Sequence, residues 1–401
     1  MSGAKKLLLV SYFYPPNYWS GGAARPYWFA RLLPRANWDV TVFTAGGPAV
    51  DDSYPDAGAV IRTGKAEIRT PAQPGVHTPL KTLGRMFLWP DSRRFWLRET
   101  VSLRRLAAEM KPNLILACAP PYTDLLLAER VCRETGTKLA VDLWDPWKED
   151  IYRMYPTRFH RWLTARAEAR IFSRAAFVSV INPAMADSLR AKYPDLRVMS
   201  LPFGFDPDEI KSTPLPRAER FHLAYLGSFF GDHKRPEGLF PGLARLPDDL
   251  PVRFSFVGAK SDKVVASLRE LSRRFPVQCL DYLPHREAVA LASSAHALLV
   301  LVTRGPSYGL VSTGKVYEAL AFGRAVIGVV PRDAWVSGFI AGHGGYMADP
   351  DEPDSVRSAF EEMVGDWQNG RLRLPDPGKV AGFRWENIVA GLAAELDGVV
   401  S

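Results

Sequence analysis

The stretch of this sequence richest in chemistry is GLVSTGKVYEALAFG, residues 309–323. Ser312, Thr313 and Gly314 are types that cap a helix or let a ligand approach the backbone, and Lys315 then opens an apolar helix. Free N–H groups, the helix dipole and a lysine together make a site for negative oxygen. Glu318 follows within the first turn, among Val316, Tyr317, Ala319, Leu320, Ala321 and Phe322. A carboxylate in such company needs hydrogen-bond donors to offset desolvation. The two hydroxyls of a ribose supply them, as acidic residues bind ribose in dinucleotide folds. Phosphate at the helix start and ribose one turn in describe a nucleoside diphosphate lying along one helix end. The alternative is a capped core helix whose Glu318 reaches solvent. A P-loop fits poorly: Gly309 precedes Gly314-Lys315 at the right spacing, but Val316 stands where a magnesium-binding Ser or Thr is required.

Further candidates lie elsewhere. Gly21-Gly22 sits between an apolar run and an amphipathic stretch, which suits either close approach of a sugar or phosphate or a tight turn. Asp142 and Asp145, in DLWDPW, end an apolar run and are expected to face a ligand, with Trp144 between them. Asp145 could take a proton from an acceptor hydroxyl as a general base, or cap the turn before Pro146. Gly227-Ser228 closes another apolar run as a strand-end turn. No histidine coincides with a motif; His233 and His285 read as structural or base-edge residues. Cys118, Cys132 and Cys279 form no CxxC pair or Cys/His cluster, and the aspartates form no compact DxD site, so no metal and no disulfide framework is expected.

These residues need elements to hold them. Short apolar runs at 7–13, 39–44, 113–119, 138–144 and 177–182 alternate with amphipathic stretches at 23–36, 92–110, 122–135 and 157–174. That is the pattern of βαβ units around a parallel sheet. Residues 46–91, rich in Gly, Pro and Asp, read as loops with irregular strands. LPFGFDPDEIKSTPLPRAER (201–220) reads as a linker. The alternation restarts with strands at 221–227, 252–258, 277–283, 297–303 and 325–331, and helices at 235–246, 261–274, 284–295, 315–323 and 352–368, before a terminal amphipathic segment. Two consecutive open α/β sheets imply ligands at the carboxyl ends of their strands.

Taken in order and spacing, LLLVSYFYPPNYWSGGAARPYWFARLLPRANWDVTVFT, PDSRRFW, CAPPYTDLLLA, DLWDPW, YLGSFFGDHK and STGKVYEAL resemble the family-4 glycosyltransferases of GT-B fold, in the branch that builds bacterial cell-surface polysaccharides. The resemblance implies an α/β chain of two Rossmann-like domains facing a central cleft. The acceptor-binding domain would be 1–203 with a C-terminal helix (382–401) crossing back to it, and the donor-binding domain 204–381. It further implies a nucleotide-sugar donor, a uridine diphosphate sugar by preference, a lipid-linked or glycan acceptor, retention at the anomeric carbon and no cofactor. Lys234 matches the lysine of the basic pair that binds the donor diphosphate, while Ser228 replaces its arginine. Glu318 matches the second member of the family's Glu-x7-Glu pattern, and Leu310 replaces the first. Lys315 is then the candidate for the missing positive charge, and backbone near Tyr282-Leu283 for the nucleobase contact. The competing functions are a nucleotide-sugar epimerase or hydrolase, and a non-catalytic nucleotide-sugar-binding partner.

The 401 residues, 47% hydrophobic and 23% charged, suit two globular cores and exclude a disordered chain, a collagen-like fibre and a small disulfide scaffold. No apolar run is long enough to span a bilayer. The opening KKLLLV reads as a first strand rather than a signal peptide, and the cysteine usage suits the cytoplasm. The net charge of +8 is uneven: residues 1–200 hold 29 Lys+Arg against 18 Asp+Glu. WPDSRRFWLRETVSLRR mixes Trp89, Phe95 and Trp96 with arginines, and Trp162, Arg166, Arg170 and Arg174 fall four apart along one helical stripe. Basic helices with aromatics suit an anionic membrane surface, here the inner face of the plasma membrane. The alternative is a solvated arginine face paired with Glu99, Glu109 and Glu168. No nucleic-acid module is recognisable.

Overall fold

The computed structural model describes residues 3–16, 21–47, 54–64, 87–149, 155–229, 238–305 and 307–401. The chain divides into two units, Met1–Phe203 with Trp385–Ser401, and Gly204–Arg384.

In the first unit the strands are β1 (Lys5–Val10), β2 (Trp38–Ala45), β3 (Ala59–Thr63), β4 (Leu114–Ala119), β5 (Lys138–Leu143), β6 (Ala175–Val180) and β7 (Val198–Ser200). They form a parallel sheet in the order β3-β2-β1-β4-β5-β6-β7 among the described residues. The helices are α1 (Ala24–Leu32), α2 (Thr100–Met110), α3 (Thr123–Thr135), α4 (Arg158–Phe172) and α5 (Pro183–Lys192). The run Leu7–Val10 and all of β4 are buried, because a parallel sheet is covered on both faces and its strands must be apolar throughout.

The second unit holds β8 (Phe221–Leu226), β9 (Val252–Val257), β10 (Val277–Leu280), β11 (Ala297–Leu301), β12 (Ala325–Val329) and β13 (Tyr346–Ala348). Its parallel sheet runs β10-β9-β8-β11-β12-β13. Its helices are α6 (Leu239–Leu243), α7 (Asp262–Ser272), α8 (His285–Ser293), α9 (Gly314–Ala321), α10 (Trp335–Gly342), α11 (Pro353–Gln368) and α12 (Pro377–Ala381). One core joins Phe221, Phe254, Phe256, Ile327 and Phe360 from the strands and α11. The terminal helix α13 (Trp385–Val400) belongs to the first unit. There Trp385 stacks on Trp28 at 6.1 Å, and Asp397 accepts from Lys5 Nζ (2.8 Å) and Trp38 Nε1 (3.0 Å).

Several elements differ from the sequence reading. The expected helix 92–110 is a 3-10 stretch, Arg94–Glu99, followed by α2. β10 stops at Leu280 rather than 283, while β3 falls inside the 46–91 range where irregular strands were expected. The edge strands β7 and β13 have three residues each, too few to show alternation. The helices α5, α10 and α12 went unread, although Asn182-Pro183 opens α5 with both a capping side chain and a first-turn proline.

Candidate functional site

In the second sheet the strand order reverses between β8 and β11. Side-by-side parallel strands whose connections depart in opposite directions leave a crevice at their carboxyl ends, where open α/β sheets bind ligands. Gly227-Ser228 follows β8 and the Ser312–Glu318 segment follows β11, so the sheet brings these two sequence-distant groups to one edge at that reversal.

The β8 side is built from glycines. Gly227 N donates to Val257 O at 2.9 Å, and a Cβ on Gly227 would lie 2.7 Å from Tyr225 Oη. Gly258, at φ +115°, would drive a Cβ to 2.6 Å from Gly227 O, so only glycine lets these two strand tips approach. Tyr225 Oη donates to Ser228 O at 3.3 Å. Lys260, which its spacing did not single out, donates Nζ to the carbonyls of Gly258 and Leu280 and closes the tips of β9 and β10.

On the β11 side, Thr313 caps α9 by accepting from Lys315 N at 3.4 Å, a long bond. Ser312 is buried and donates to Tyr317 Oη at 3.3 Å, so its hydroxyl is used within the protein. Lys315 is exposed, while Glu318 is half-buried. Neither side chain has a hydrogen-bond or ion-pair partner among the described residues, although Val316, Tyr317, Ala319 and Leu320 around Glu318 are buried. Leu310 ends a one-turn 3-10 helix, Tyr308–Leu310. Tyr282 is exposed and Leu283 half-buried in the connection from β10 to α8. His285 opens α8 and pairs with Glu209 Oε2 at 3.2 Å, the structural alternative for that residue. Lys234 and His233 lie outside the described residues.

The first unit has its own reversal between β1 and β4. Gly21-Gly22 follows β1 in a 3-10 turn that leads into α1. A Cβ on Gly22 would fall 2.4 Å from Trp144 Nε1, so the space this glycine leaves is filled by the indole. Asp145 sits half-buried in the bend after β5, followed by Pro146, whose carbonyl takes Tyr122 Oη at 3.0 Å.

Asp142 is a correction. It does not face a ligand but is fully buried, its carboxylate gripped by Arg25 (Nη2–Oδ1 2.6 Å, Nε–Oδ2 2.8 Å) and by Ser179 Oγ at 2.6 Å. The remaining Arg25 nitrogen donates to Leu201 O and Pro202 O. Asp142 lies within β5, whereas Asp145 sits half-buried in the bend after it and Trp144 between them is buried.

The paired motifs PDSRRFW and CAPPYTDLLLA interlock. Asp91 of the first accepts from Thr123 N (2.9 Å) and Thr123 Oγ1 (2.8 Å) of the second, capping α3 from 32 positions away. Beside it Asp124 is buried: one carboxyl oxygen accepts Tyr12 N at 2.7 Å and the other has no partner among the described residues. Burial pushes this carboxyl well above the usual range.

The arginine stripe divides. Arg170 and Arg174 reach Glu129, which is 3% exposed, at 3.5 and 3.7 Å, and Glu168 is taken by Lys192 and Tyr193. Ahead of them on α4, Phe159 and Trp162 are 61% and 53% exposed, stacked at 5.8 Å, with Arg166 over Trp162 at 5.7 Å. Arg94 and Arg98 flank exposed Phe95 at 5.0 and 5.5 Å. Among the described residues no three His, Cys, Asp or Glu side chains are placed to hold a metal ion, and no helix is long and apolar enough to cross a membrane.

Residues 20–204 match the family model described as a glycosyl transferase 4-like domain. The first unit carries a glycosyltransferase 4-like domain. Sucrose-phosphate synthase from Thermosynechococcus elongatus is similar in structure (TM-score 0.71) at 16% identity, over 98% of this chain and 99% of that one. HepE of Anabaena, solved with UDP and glucose, has a TM-score of 0.64 at 16% identity, over 98% and 100%. A UDP-N-acetylglucosamine 2-epimerase, so described putatively, from Listeria monocytogenes has a TM-score of 0.61 at 10% identity, over 99% and 96%. At such identities the likeness shows the fold, and one fold here carries more than one reaction. No curated protein sequence matches the chain. The chain thus has a glycosyltransferase 4-like first unit and a GT-B fold throughout.

Proposed function

We propose that this glycosyltransferase moves a sugar from a nucleotide-sugar donor, uridine-linked by preference, to a lipid-linked or glycan acceptor in cell-surface glycan synthesis, with retention at the anomeric carbon. The carrying observation is Glu318: a half-buried carboxylate without a protein partner among the described residues, one turn inside a capped helix at the strand-order reversal. Such a group is costly unless a ligand supplies donors, and ribose hydroxyls do so while the diphosphate meets the start of α9 and Lys315. Departure of the diphosphate as the sugar carbon gains positive charge is stabilised electrostatically by the ammonium and the helix end. Asp145, in the first unit, is the proposed base for the acceptor hydroxyl. HepE's capture with UDP and glucose supports the donor class. Lys234, as the resemblance assigns it, would add a second cation.

The cytoplasmic face of an anionic membrane is the proposed workplace. The support is the stacked pair Phe159–Trp162 with Arg158, Arg161 and Arg166 on the same helix, which places apolar rings among cations as an interfacial surface requires. A second reading, epimerisation of the donor, is favoured by the Listeria neighbour.

Thermal shift with a panel of nucleoside diphosphates tests the donor site, since a ligand bound to the native state raises stability by mass action. UDP is expected to give the largest shift, and Glu318→Ala to weaken it by about ten- to a hundredfold, the loss of hydrogen bonds to a charged group. An unchanged affinity in that variant removes Glu318 from the site. Donor consumption that waits on an added acceptor selects transfer; turnover without acceptor selects epimerase or hydrolase.

A further inference from the structure

Arg304 lies three residues beyond the end of β11, at the head of the segment that leads to α9. Its guanidinium reaches three separate loops. Nη1 donates to Asp333 Oδ1 (2.8 Å) in the loop after β12, and to Tyr308 Oη (3.0 Å) in its own segment. Nε donates to Asp351 Oδ2 (2.6 Å) and Nη2 to Asp349 Oδ2 (3.3 Å), both after β13. Tyr308 Oη in turn donates to Asp333 Oδ2. Asp349 is buried and rigidly held, its Oδ1 accepting Asp351 N at 3.0 Å and its own N–H donating to Ser355 Oγ at 3.1 Å.

This arrangement does not resemble a stability device. Arg304, Asp333 and Asp351 keep 43%, 60% and 55% of their side chains exposed, and ion pairs in that setting add little to global stability. What it does is local. Tyr308 opens the 3-10 turn that ends at Leu310, and Ser307 just before it is held at φ 56°, a left-handed conformation that a non-glycine residue keeps only when its surroundings impose it. Leu310 N donates to Ser307 O (2.9 Å) and Val311 N to Tyr308 O (3.2 Å), so the turn fixed by Arg304 runs directly into Ser312 and the Thr313 cap.

We infer that Arg304 is a positioning residue for the donor helix: it pins the Ser307–Leu310 turn to the loops after β12 and β13 and so sets the approach of the chain to Thr313, Lys315 and Glu318. This rests on the donor reading of α9. It also gives the departure at Leu310 a physical setting, because the turn that ends there is tied through Arg304 and Tyr308 to Asp333, Asp349 and Asp351. Only a planar fork can satisfy these acceptors together, so lysine is not equivalent.

The test compares Arg304→Ala, Arg304→Lys and, as control, Arg332→Ala, whose guanidinium joins only the exposed Glu352 among the described residues. Amide hydrogen exchange and UDP titration are read on each full-length variant, with the unfolding temperature. Both Arg304 variants should exchange faster at Leu310, Val311 and Val316 than the unaltered protein, with β8 and β9 amides unchanged. They should bind UDP about tenfold more weakly, and raise KM for the donor more than they lower kcat, as loss of ground-state binding does. The unfolding temperature should stay within error, and Arg332→Ala should match the unaltered protein. Unchanged exchange at 310–316 overturns the inference, as does faster exchange with unchanged UDP affinity, or full rescue by lysine. An unaltered protein that binds no nucleoside diphosphate strikes the donor reading and the positioning role with it; the exchange result then decides separately whether Arg304 orders the segment.

Discussion

The two units place their strongest polar interactions in opposite settings. In the first, Arg25 and Asp142 form an ion pair with neither side chain exposed, saturated by Ser179 and two backbone carbonyls. In the second, the charged cluster around Arg304 is largely exposed apart from Asp349, and the buried polar groups include Arg324, which donates to the carbonyls of Thr213 and Ser293, and two neutral imidazoles. His222 N donates to His296 Nδ1 at 2.8 Å, His222 Nε2 contacts Ser255 Oγ at 2.8 Å, and His296 Nε2 donates to Pro216 O at 2.9 Å. Burial, then the charge of Arg253, lowers His222 to about 4, and burial lowers His296 as well. A sealed charge pair commits the whole unit to one geometry, because neither partner can be left alone. An exposed cluster leaves the fold indifferent and acts on one segment.

The widest separation between these settings is expected from Asp142→Ala. Stranding the Arg25 charge should cost about 3–5 kcal/mol of stability, seen as a large fall in unfolding temperature. Arg304→Ala should leave that temperature unmoved; a comparable fall in both variants would dissolve the contrast. Next comes pH. The folded histidines resist protonation while the unfolded ones take a proton near 6.5, so the unfolded state binds more protons in the window between 6.5 and about 4. Stability contributed by the neutral pair is therefore complete above pH 6.5 and falls as pH drops to about 4, by on the order of 1–3 kcal/mol. Chemical denaturation at pH 7 and 5 reads it, and His222→Gln should flatten the slope. The smallest effect concerns the surface of α4. Trp162→Ala should weaken binding to anionic vesicles about severalfold. Arg170→Ala should change it little, because Glu129 already holds that charge; equal losses would mean the ion pair opens at the membrane.

Much of the architecture was legible from residue order alone. The apolar runs of β1, β2, β4, β8, β11 and β12 announce buried parallel strands, and STGK announces a capped helix start because the cap uses atoms only two residues apart. β7 and β13 were not legible, since three residues at a sheet edge carry no period. Nor was the role of DLWDPW, where Asp142 and Asp145 look alike in sequence and differ wholly in burial.

What the sequence by itself determined is the succession of elements and the local chemistry at the head of α9, because hydrophobic period and capping act over one or two turns. Only the tertiary structure decided which charged groups meet. Arg25 finds Asp142 across 117 positions, and Arg304 finds Asp333, Asp349 and Asp351 because sheet order sets β12 beside β11 and β13 beside β12. A guanidinium carries no address for its partner; the parallel strands deliver one by aligning their carboxyl ends.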